Sequence, residues 1–227
     1  MTSRGPAPLS PHDSAIWHTV DINIWLDEGH LERRAAIGTR FPLRFDADEQ
    51  ALAQGDFTLL SYVAAGDGSY THNGGFFFAT GAAGLALTAV AAAGRAAANS
   101  RRRAQAAAEA AMQWRPTDGG QLTVTSHGFY LAARQGFYPW VYPAIDTASM
   151  MGPQQVQLSG QSDHGPVQWV IVSVWAELIF TLWARAVHPR HPQIVEQTWI
   201  PPGWLDRLKV AGHVLPAHPQ TPQDRVW

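Results

Sequence analysis

Cysteine is absent from the 227 residues of this chain. Its absence excludes disulfides, zinc sites with thiolate ligands and cysteine nucleophiles. Charged residues are also scarce, at 15% of the chain, where about a quarter is usual for a soluble domain. A surface with so few charges favours contact with a partner, a membrane or further subunits.

Basic charge is in short supply too. The net charge is −2, the isoelectric point is near 6.5, and Lys209 is the only lysine. A dedicated nucleic-acid-binding protein needs an excess of basic residues to displace counterions. We therefore expect no nucleic-acid partner. Aromatic residues, in contrast, include 10 tryptophans, a residue type that suits cores, interfaces and membrane boundaries alike.

Familiar catalytic and cofactor motifs are missing. The sequence has no phosphate-binding loop, no HExxH and no GxSxG, and Gly66 and Gly68 lack the third glycine of a dinucleotide fingerprint. Adjacent residues at 162–164 supply serine, aspartate and histidine, but neighbours in sequence cannot form a catalytic relay. We expect a hairpin tip there, no enzymatic activity and no cofactor. An enzyme using unrecognised histidine or aspartate chemistry is an alternative.

Two further groups of polar residues could be read as metal or catalytic sites. His188 and His191 alternate with prolines and lack an obvious third ligand, so we expect no metal site. Asp46, Asp48 and Glu49 resemble paired carboxylates, but acids are common in the first turn of a helix. We interpret them as structural.

The N-terminal quarter of the chain predicts a disordered tail followed by a β/α segment. Residues 1–16 begin rich in serine, proline and glycine, without a secretory signal. In residues 17–73, alternation of apolar residues predicts a strand at His18–Leu26 and an edge strand at Arg40–Phe45. Asp46–Gly55 has a capping-box pattern and predicts a short helix, and Asp56–Ala65 predicts a strand.

Residues 74–113 predict a long alanine-rich helix. Its first 21 residues carry no charge, which is long enough to span a bilayer. They hold only three phenylalanines, two leucines and one valine, which together favour insertion by roughly 2–3 kcal/mol. Because glycines and threonines offset much of that, burial or interfacial contact is favoured over spanning.

Aromatic and basic side chains of this segment are candidate binding residues. Phe76, Phe77 and Phe78 could anchor at a membrane interface, and Arg95 with Arg101, Arg102 and Arg103 could face anionic headgroups. The alternative for the arginines is a solvated helix face.

The region 114–190 predicts a dense series of strands that ends in a helix. Turn signals separate most of the strands, and the period becomes helical at Trp175–Pro189. The extension 191–227 is proline-rich, with at most a short helix at 202–210. The six predicted strands are 121–126, 128–134, 137–142, 144–149, 154–159 and 167–174.

This arrangement resembles the bacterial PH-like or GRAM-like domains. "GGQLTVTSHGFYL" looks like their opening hairpin, "WVYPAIDTASM" is similar to their third strand, and "WAELIFTLWARA" stands where their closing helix is expected. The resemblance implies binding to lipid headgroups or proteins and no catalysis. Relatives that bind lipid hold phosphates from the first hairpin, where this sequence offers Arg115 and Arg134. PH-like barrels have seven strands, and residues 57–65 could supply the seventh.

The sequence therefore predicts an α+β protein. It would combine a small PH-like antiparallel barrel or sandwich and its C-terminal capping helix with the long alanine-rich helix and the N-terminal β/α segment. We expect a non-enzymatic binding module that docks on an anionic membrane surface, a protein partner or both. We expect a cytoplasmic location, with peripheral attachment to the inner face of the membrane as the alternative. A structural or assembly protein with tryptophan-rich subunit interfaces, forming a homo-oligomer, is the second hypothesis.

Overall fold

A computed structural model describes residues 7–63, 101, 112–162 and 165–216. The chain divides into two compact units. The first combines Met1–Leu60 with Pro116–Trp227, and the second is Ser61–Arg115. Almost all of the predicted alanine-rich helix at 74–113 lies outside the described residues.

The described part of the chain contains a few helices and seven strands. They are helix α1 (Pro11–Asp27), a 3-10 turn (Leu31–Arg33), β1 (Ala51–Val63), β2 (Gln113–Thr125), β3 (Gly128–Ala133), β4 (Phe137–Val141), a 3-10 turn (Tyr142–Ala144), β5 (Ile145–Gly152), β6 (Gln155–Ser162), β7 (Gly165–Val172), α2 (Ala176–Val187), α3 (Pro192–Val195) and α4 (Trp204–Val210).

The seven strands form one open antiparallel sheet in the order β4-β3-β2-β1-β7-β6-β5. The strand predicted at Asp56–Ala65 is confirmed as part of β1, and it takes a central position between β2 and β7. The predicted α+β class is confirmed at this level: an antiparallel sheet with helices packed on it.

The sheet must curve, because its two edge strands are neighbours in sequence. Six spacings between flat strands would separate β4 from β5 by roughly 29 Å, whereas the three residues that join them reach at most about 14 Å. Aromatic contacts across the sheet agree with this curvature. The ring of Trp140 on β4 lies 5.3 Å from that of Trp169 on β7.

Helix α2 packs with the strands in one hydrophobic core. All nine residues from Ala176 to Ala184 are buried, as expected for a helix enclosed in a core, and all but Glu177 and Thr181 are apolar. The indole nitrogen of Trp183 donates a hydrogen bond to the carbonyl oxygen of Ile145 at 3.0 Å. This bond connects the C-terminal half of α2 to the first residue of β5.

Helix α1 packs beside α2 and also carries α4. Asn23 on α1 donates to the hydroxyl of Thr181 on α2 at 3.1 Å. Trp204 of α4 is buried against Ile16, and its indole donates to the carbonyl oxygen of Asp13 at 3.2 Å. The short C-terminal helix is thereby part of the fold. The helix predicted at 202–210 is confirmed.

The strand predicted at His18–Leu26 is wrong, and so is the disorder predicted for residues 11–16; residues 1–6 lie outside the described part. Helix α1 covers this region and begins at Pro11. Ser10 caps it by accepting from the backbone nitrogen of Asp13 at 3.0 Å, and proline is favoured in the first turn because its missing N–H costs nothing there. The buried positions are 13, 15, 16, 19 and 22, a helical spacing that outweighs the alternation seen in the sequence.

The predictions for residues 40–55 are also wrong. No regular strand forms at Arg40–Phe45, where the rings of Phe41 and Phe45 pack on Tyr130 instead. The helix predicted at Asp46–Gly55 is replaced by a turn and by β1 from Ala51 onward.

The six later strands and the helix that follows them are confirmed, with one extension. β2 begins at Gln113, so Pro116 and residues 118–120 lie inside a strand rather than ending a helix. Ser162 and Gly165 bound the β6–β7 connection, which confirms a hairpin there; residues 163 and 164 lie outside the described part. No helix within the described residues has the length and apolar character needed to cross a membrane.

Candidate functional site

The sequence-predicted binding residues are only partly within the described chain. Phe76, Phe77, Phe78, Arg95, Arg102 and Arg103 lie outside it. Arg101 is helical and exposed, and Arg115 lies on β2; both belong to the second unit. Arg134 follows β3 in the first unit.

The described ends of β1 and β2 carry an aromatic and apolar group. The rings of Tyr62 and Trp114 are tilted against each other with centroids 5.4 Å apart. Tyr62 is 47% exposed and Met112 is 51% exposed. Large apolar side chains left open beside an amphipathic aromatic pair are typical of surfaces that meet a partner or a membrane boundary. From here the chain continues into residues 64–111.

Arg134 lines a surface cavity of about 580 Å³ together with Asp56 and Asp118. The Asp118 carboxylate accepts hydrogen bonds from the backbone nitrogens of Gly119 (2.7 Å) and Arg134 (3.1 Å). The bond from Gly119 is the main cause that lowers the pKa of Asp118. Because two carboxylates share the cavity with one guanidinium, its charge does not favour a phosphate, and Arg134 is poorly placed as a headgroup ligand.

Glu49 anchors the irregular segment before β1 to the first hairpin. One carboxylate oxygen accepts from the hydroxyl of Thr125 at 2.6 Å, and the other accepts from the hydroxyl of Tyr130 and the backbone nitrogen of Phe45, both at 2.9 Å. Burial is the main cause that raises the pKa of Tyr130 to about 12. The phenol therefore stays protonated at neutral pH and donates to Glu49. This supports the structural interpretation of Glu49.

Asp46, Asp48 and His127 form the group that could hold a metal ion among the described residues. Their ligand atoms lie within 4.8 Å of one another. His127 Nε2 is 3.3 Å from the Asp48 carboxylate, and Nδ1 is 2.9 Å from the hydroxyl of Ser126. The Asp48 side chain is 80% exposed, so the carboxylates are already solvated in the absence of an ion. The sequence missed His127 here because it is 79 residues from Asp48.

His188 and His191 meet at a second cavity, of about 430 Å³. Both imidazoles pack against the indole of Trp183, with ring centroids at 5.3 Å and 5.8 Å. His191 Nδ1 accepts from the backbone nitrogen of Gln193 at 3.2 Å. Burial, with a smaller effect of His188, lowers the pKa of His191. The sequence identified these histidines but not the indole that holds them.

Comparison with known proteins identifies no matching family model, no similar curated protein and no similar solved structure. Functional conclusions therefore depend on the residues and geometry described above.

Proposed function

We propose that this protein is a non-enzymatic binding module of the PH/GRAM-like kind that docks on an anionic membrane surface. The observation that carries the proposal is the group of Tyr62, Trp114 and Met112 at the ends of β1 and β2. The strands lead from this group directly into the segment 64–111, which contains Phe76–Phe78 and most of the candidate arginines.

The fold class supports this proposal. A PH-like domain needs seven antiparallel strands and a closing C-terminal helix, and this chain has a seven-stranded antiparallel sheet whose last strand is followed by α2. In the proposed arrangement the 64–111 segment is an insertion between two neighbouring central strands.

The binding free energies expected for the arginines and the phenylalanines show that the two groups must act together. A basic residue near an anionic surface contributes about 1 kcal/mol, so Arg95 and Arg101–Arg103 supply about 4 kcal/mol. That energy corresponds to a dissociation constant of about 1 mM, which is too weak for stable attachment. Burying a phenylalanine adds about 1.5–3 kcal/mol. We therefore propose that Phe76–Phe78 insert while the arginines contact headgroups.

The tryptophans support this proposal over the assembly hypothesis. Each of the nine described tryptophans is at least partly buried. Trp183 and Trp204 are about 1% exposed. Most of the apolar surface of these tryptophans is therefore buried within the chain itself. Little of that surface remains exposed to form a subunit interface.

Vesicle co-sedimentation of the full chain tests the proposal. With vesicles of phosphatidylcholine containing phosphatidylglycerol, we expect most of the protein in the pellet, and with pure phosphatidylcholine most in the supernatant. Replacing Phe76–Phe78 by serine, or Arg101–Arg103 by glutamine, should each reduce binding about tenfold or more.

Matched controls separate these effects from general loss of charge or apolar surface. Arg33, Arg40 and Arg190 are exposed, and their triple replacement by glutamine changes the net charge equally. Val210 is 89% exposed, so Val210→Ser removes apolar surface elsewhere. Both controls should bind vesicles like the unchanged protein. Equal loss in the arginine control would contradict a localised membrane contact.

A further inference from the structure

A cavity of about 430 Å³ lies between β5, the C-terminal end of α2 and the linker to α3. Its lining is mostly apolar and includes the buried side chains of Trp183 and Ala148 and the half-buried Val187. Small-molecule sites typically measure about 300–1,000 Å³ and combine apolar walls with a few polar groups. This cavity has both properties.

Apart from the hydroxyl of Thr147, the polar side chains that line the rim of this cavity are basic or imidazole groups. His188, Arg190 and His191 line the cavity, and no carboxylate does. Arg190 is exposed, and it takes part in none of the ion pairs found in the described part of the chain. This charge is the opposite of that in the Arg134 cavity, where two aspartates are present. It favours an anionic ligand.

The contacts of His191 indicate a hydrogen-bond donor at this rim rather than a metal ligand. Its Nδ1 accepts from the backbone nitrogen of Gln193, so in the neutral ring the proton is on Nε2. The lowered pKa of His191 favours that neutral form at pH 7. The ring is held in place by Trp183 and by Phe180, whose centroid lies 5.1 Å away.

The indole of Trp183 is also held in place by its contacts. Its nitrogen is already bonded to the Ile145 carbonyl and the residue is about 1% exposed, so it supports the two imidazoles from behind instead of meeting a ligand itself. Aromatic pairs prefer edge-to-face or offset contacts and gain about 0.5–1.5 kcal/mol beyond area burial. The two histidine rings pack against this indole and remain accessible, so a planar ligand on their outer side would extend the cluster.

We propose that this cavity binds a small aromatic carboxylate, with its ring against the imidazole of His188 and the side chain of Val187 and its carboxylate on Arg190 and His191 Nε2–H. Guanidinium groups pair with carboxylates through two parallel hydrogen bonds, which gives both strength and orientation. The proposal does not depend on membrane binding, because the cavity uses none of the residues assigned to that surface.

Isothermal titration calorimetry with naphthalene-2-carboxylate tests this site, and naphthalene-2-carboxamide is the matched neutral ligand. We expect the carboxylate to bind the full chain with one-to-one stoichiometry, at least tenfold more tightly than the amide. Arg190→Gln should weaken carboxylate binding about tenfold and leave amide binding unchanged. Arg33→Gln removes an exposed arginine elsewhere and should alter neither.

A second variant fills the cavity. Thr147 is an exposed residue of β5 that lines it, and aromatic residues are well tolerated on strands. Thr147→Trp should abolish binding of both ligands while circular dichroism stays unchanged. Absence of carboxylate binding at millimolar concentration would overturn the proposal. The proposal would also be overturned if Arg190→Gln bound the carboxylate as tightly as the unchanged protein. Because Arg190 is exposed, this variant provides the test even if Thr147→Trp fails to fold.

Discussion

The buried carboxylate of Glu177 connects three parts of the first unit. Glu177 is fully buried in the first turn of α2. One of its oxygens is 2.8 Å from Nε2 of His12 on α1, and it also accepts from the backbone nitrogen of Gln154 at 2.9 Å. The other oxygen is buried without a hydrogen-bond partner in the described chain. His12→Ala removes the one side chain that is bonded to this carboxylate.

The expected loss of stability follows from these contacts. A hydrogen bond to a charged group contributes about 1.5–3 kcal/mol, and a buried polar atom left unpaired costs a similar amount. Because Gln154 continues to donate, we expect His12→Ala to lower the free energy of unfolding by about 2–3 kcal/mol. For a chain of this size each kcal/mol lowers Tm by about 2–4 °C, which gives a decrease of about 4–12 °C.

Urea unfolding followed by tryptophan fluorescence measures this difference, and the chain supplies a matched control. His30 forms a similar pair with Glu32 at 3.5 Å, but these side chains are 37% and 68% exposed. Exposed ion pairs contribute about 0–1 kcal/mol, so His30→Ala should change stability by less than about 0.5 kcal/mol. If His12→Ala costs no more than His30→Ala, the buried contact does not stabilise the packing of α1 on α2.

Three further outcomes are expected. Arg207 donates to the buried Asp13 carboxylate at 2.7 Å, and this bond lowers the Asp13 pKa. Arg207→Gln should cost about 1–2 kcal/mol at pH 7, and much less in urea titrations below the depressed pKa, where the protonated carboxyl has lost the stabilisation. A Cβ on Gly128 would lie 2.1 Å from the backbone oxygen of Trp140, so Gly128→Ala should lower stability by about 2 kcal/mol or more in a thermal melt. Burial lowers the pKa of His18. Unfolding therefore takes up a proton as pH falls through about 6.5, and stability should decrease from pH 7 to 5.5, less steeply in His18→Gln.

The sheet was predictable because its signals are local. Strands β3–β7 are short, alternate in apolar character and are separated by glycine and proline turns, so each can be recognised from ten residues of sequence. Helix α2 was equally clear, since Pro189 ends a run with a 3.6-residue period. The position of β1 was also foreseen, because a seventh strand was needed and 57–65 was available.

Helix α1 shows why alternation alone can mislead. Val20, Ile22, Ile24 and Leu26 repeat every second residue, which satisfies a strand, yet a helix presents Ile22 to the core and leaves its neighbours half-buried. The deciding signals stood at the helix start, where Ser10 and Pro11 form a cap and a first turn.

The capping-box pattern at Asp46 shows the opposite error. Glu49 does accept a backbone hydrogen bond from Phe45, much as a capping glutamate does, but no helix follows. Its other bonds go to Thr125 and Tyr130. These partners are 76 and 81 residues away, and tertiary contacts of that range are absent from any local sequence pattern.

Both cavities lay beyond sequence reasoning for the same reason. His188 and His191 form a motif in the sequence. Only the fold shows that they line a cavity together with Trp183 of α2 and Thr147 of β5. Arg134 was expected to serve as a phosphate ligand, and only the fold places it in one cavity with Asp56 and Asp118.

The most direct test of the central claim is the affinity of the full chain for phosphatidylglycerol-containing vesicles at low and high salt. Four arginines acting with inserted phenylalanines predict micromolar binding in about 0.05 M salt. Binding should weaken several-fold in 0.3 M salt, because screening reduces the headgroup contribution and leaves the apolar one. Recovery of the protein in the supernatant with every vesicle composition and at both salt concentrations would contradict membrane docking.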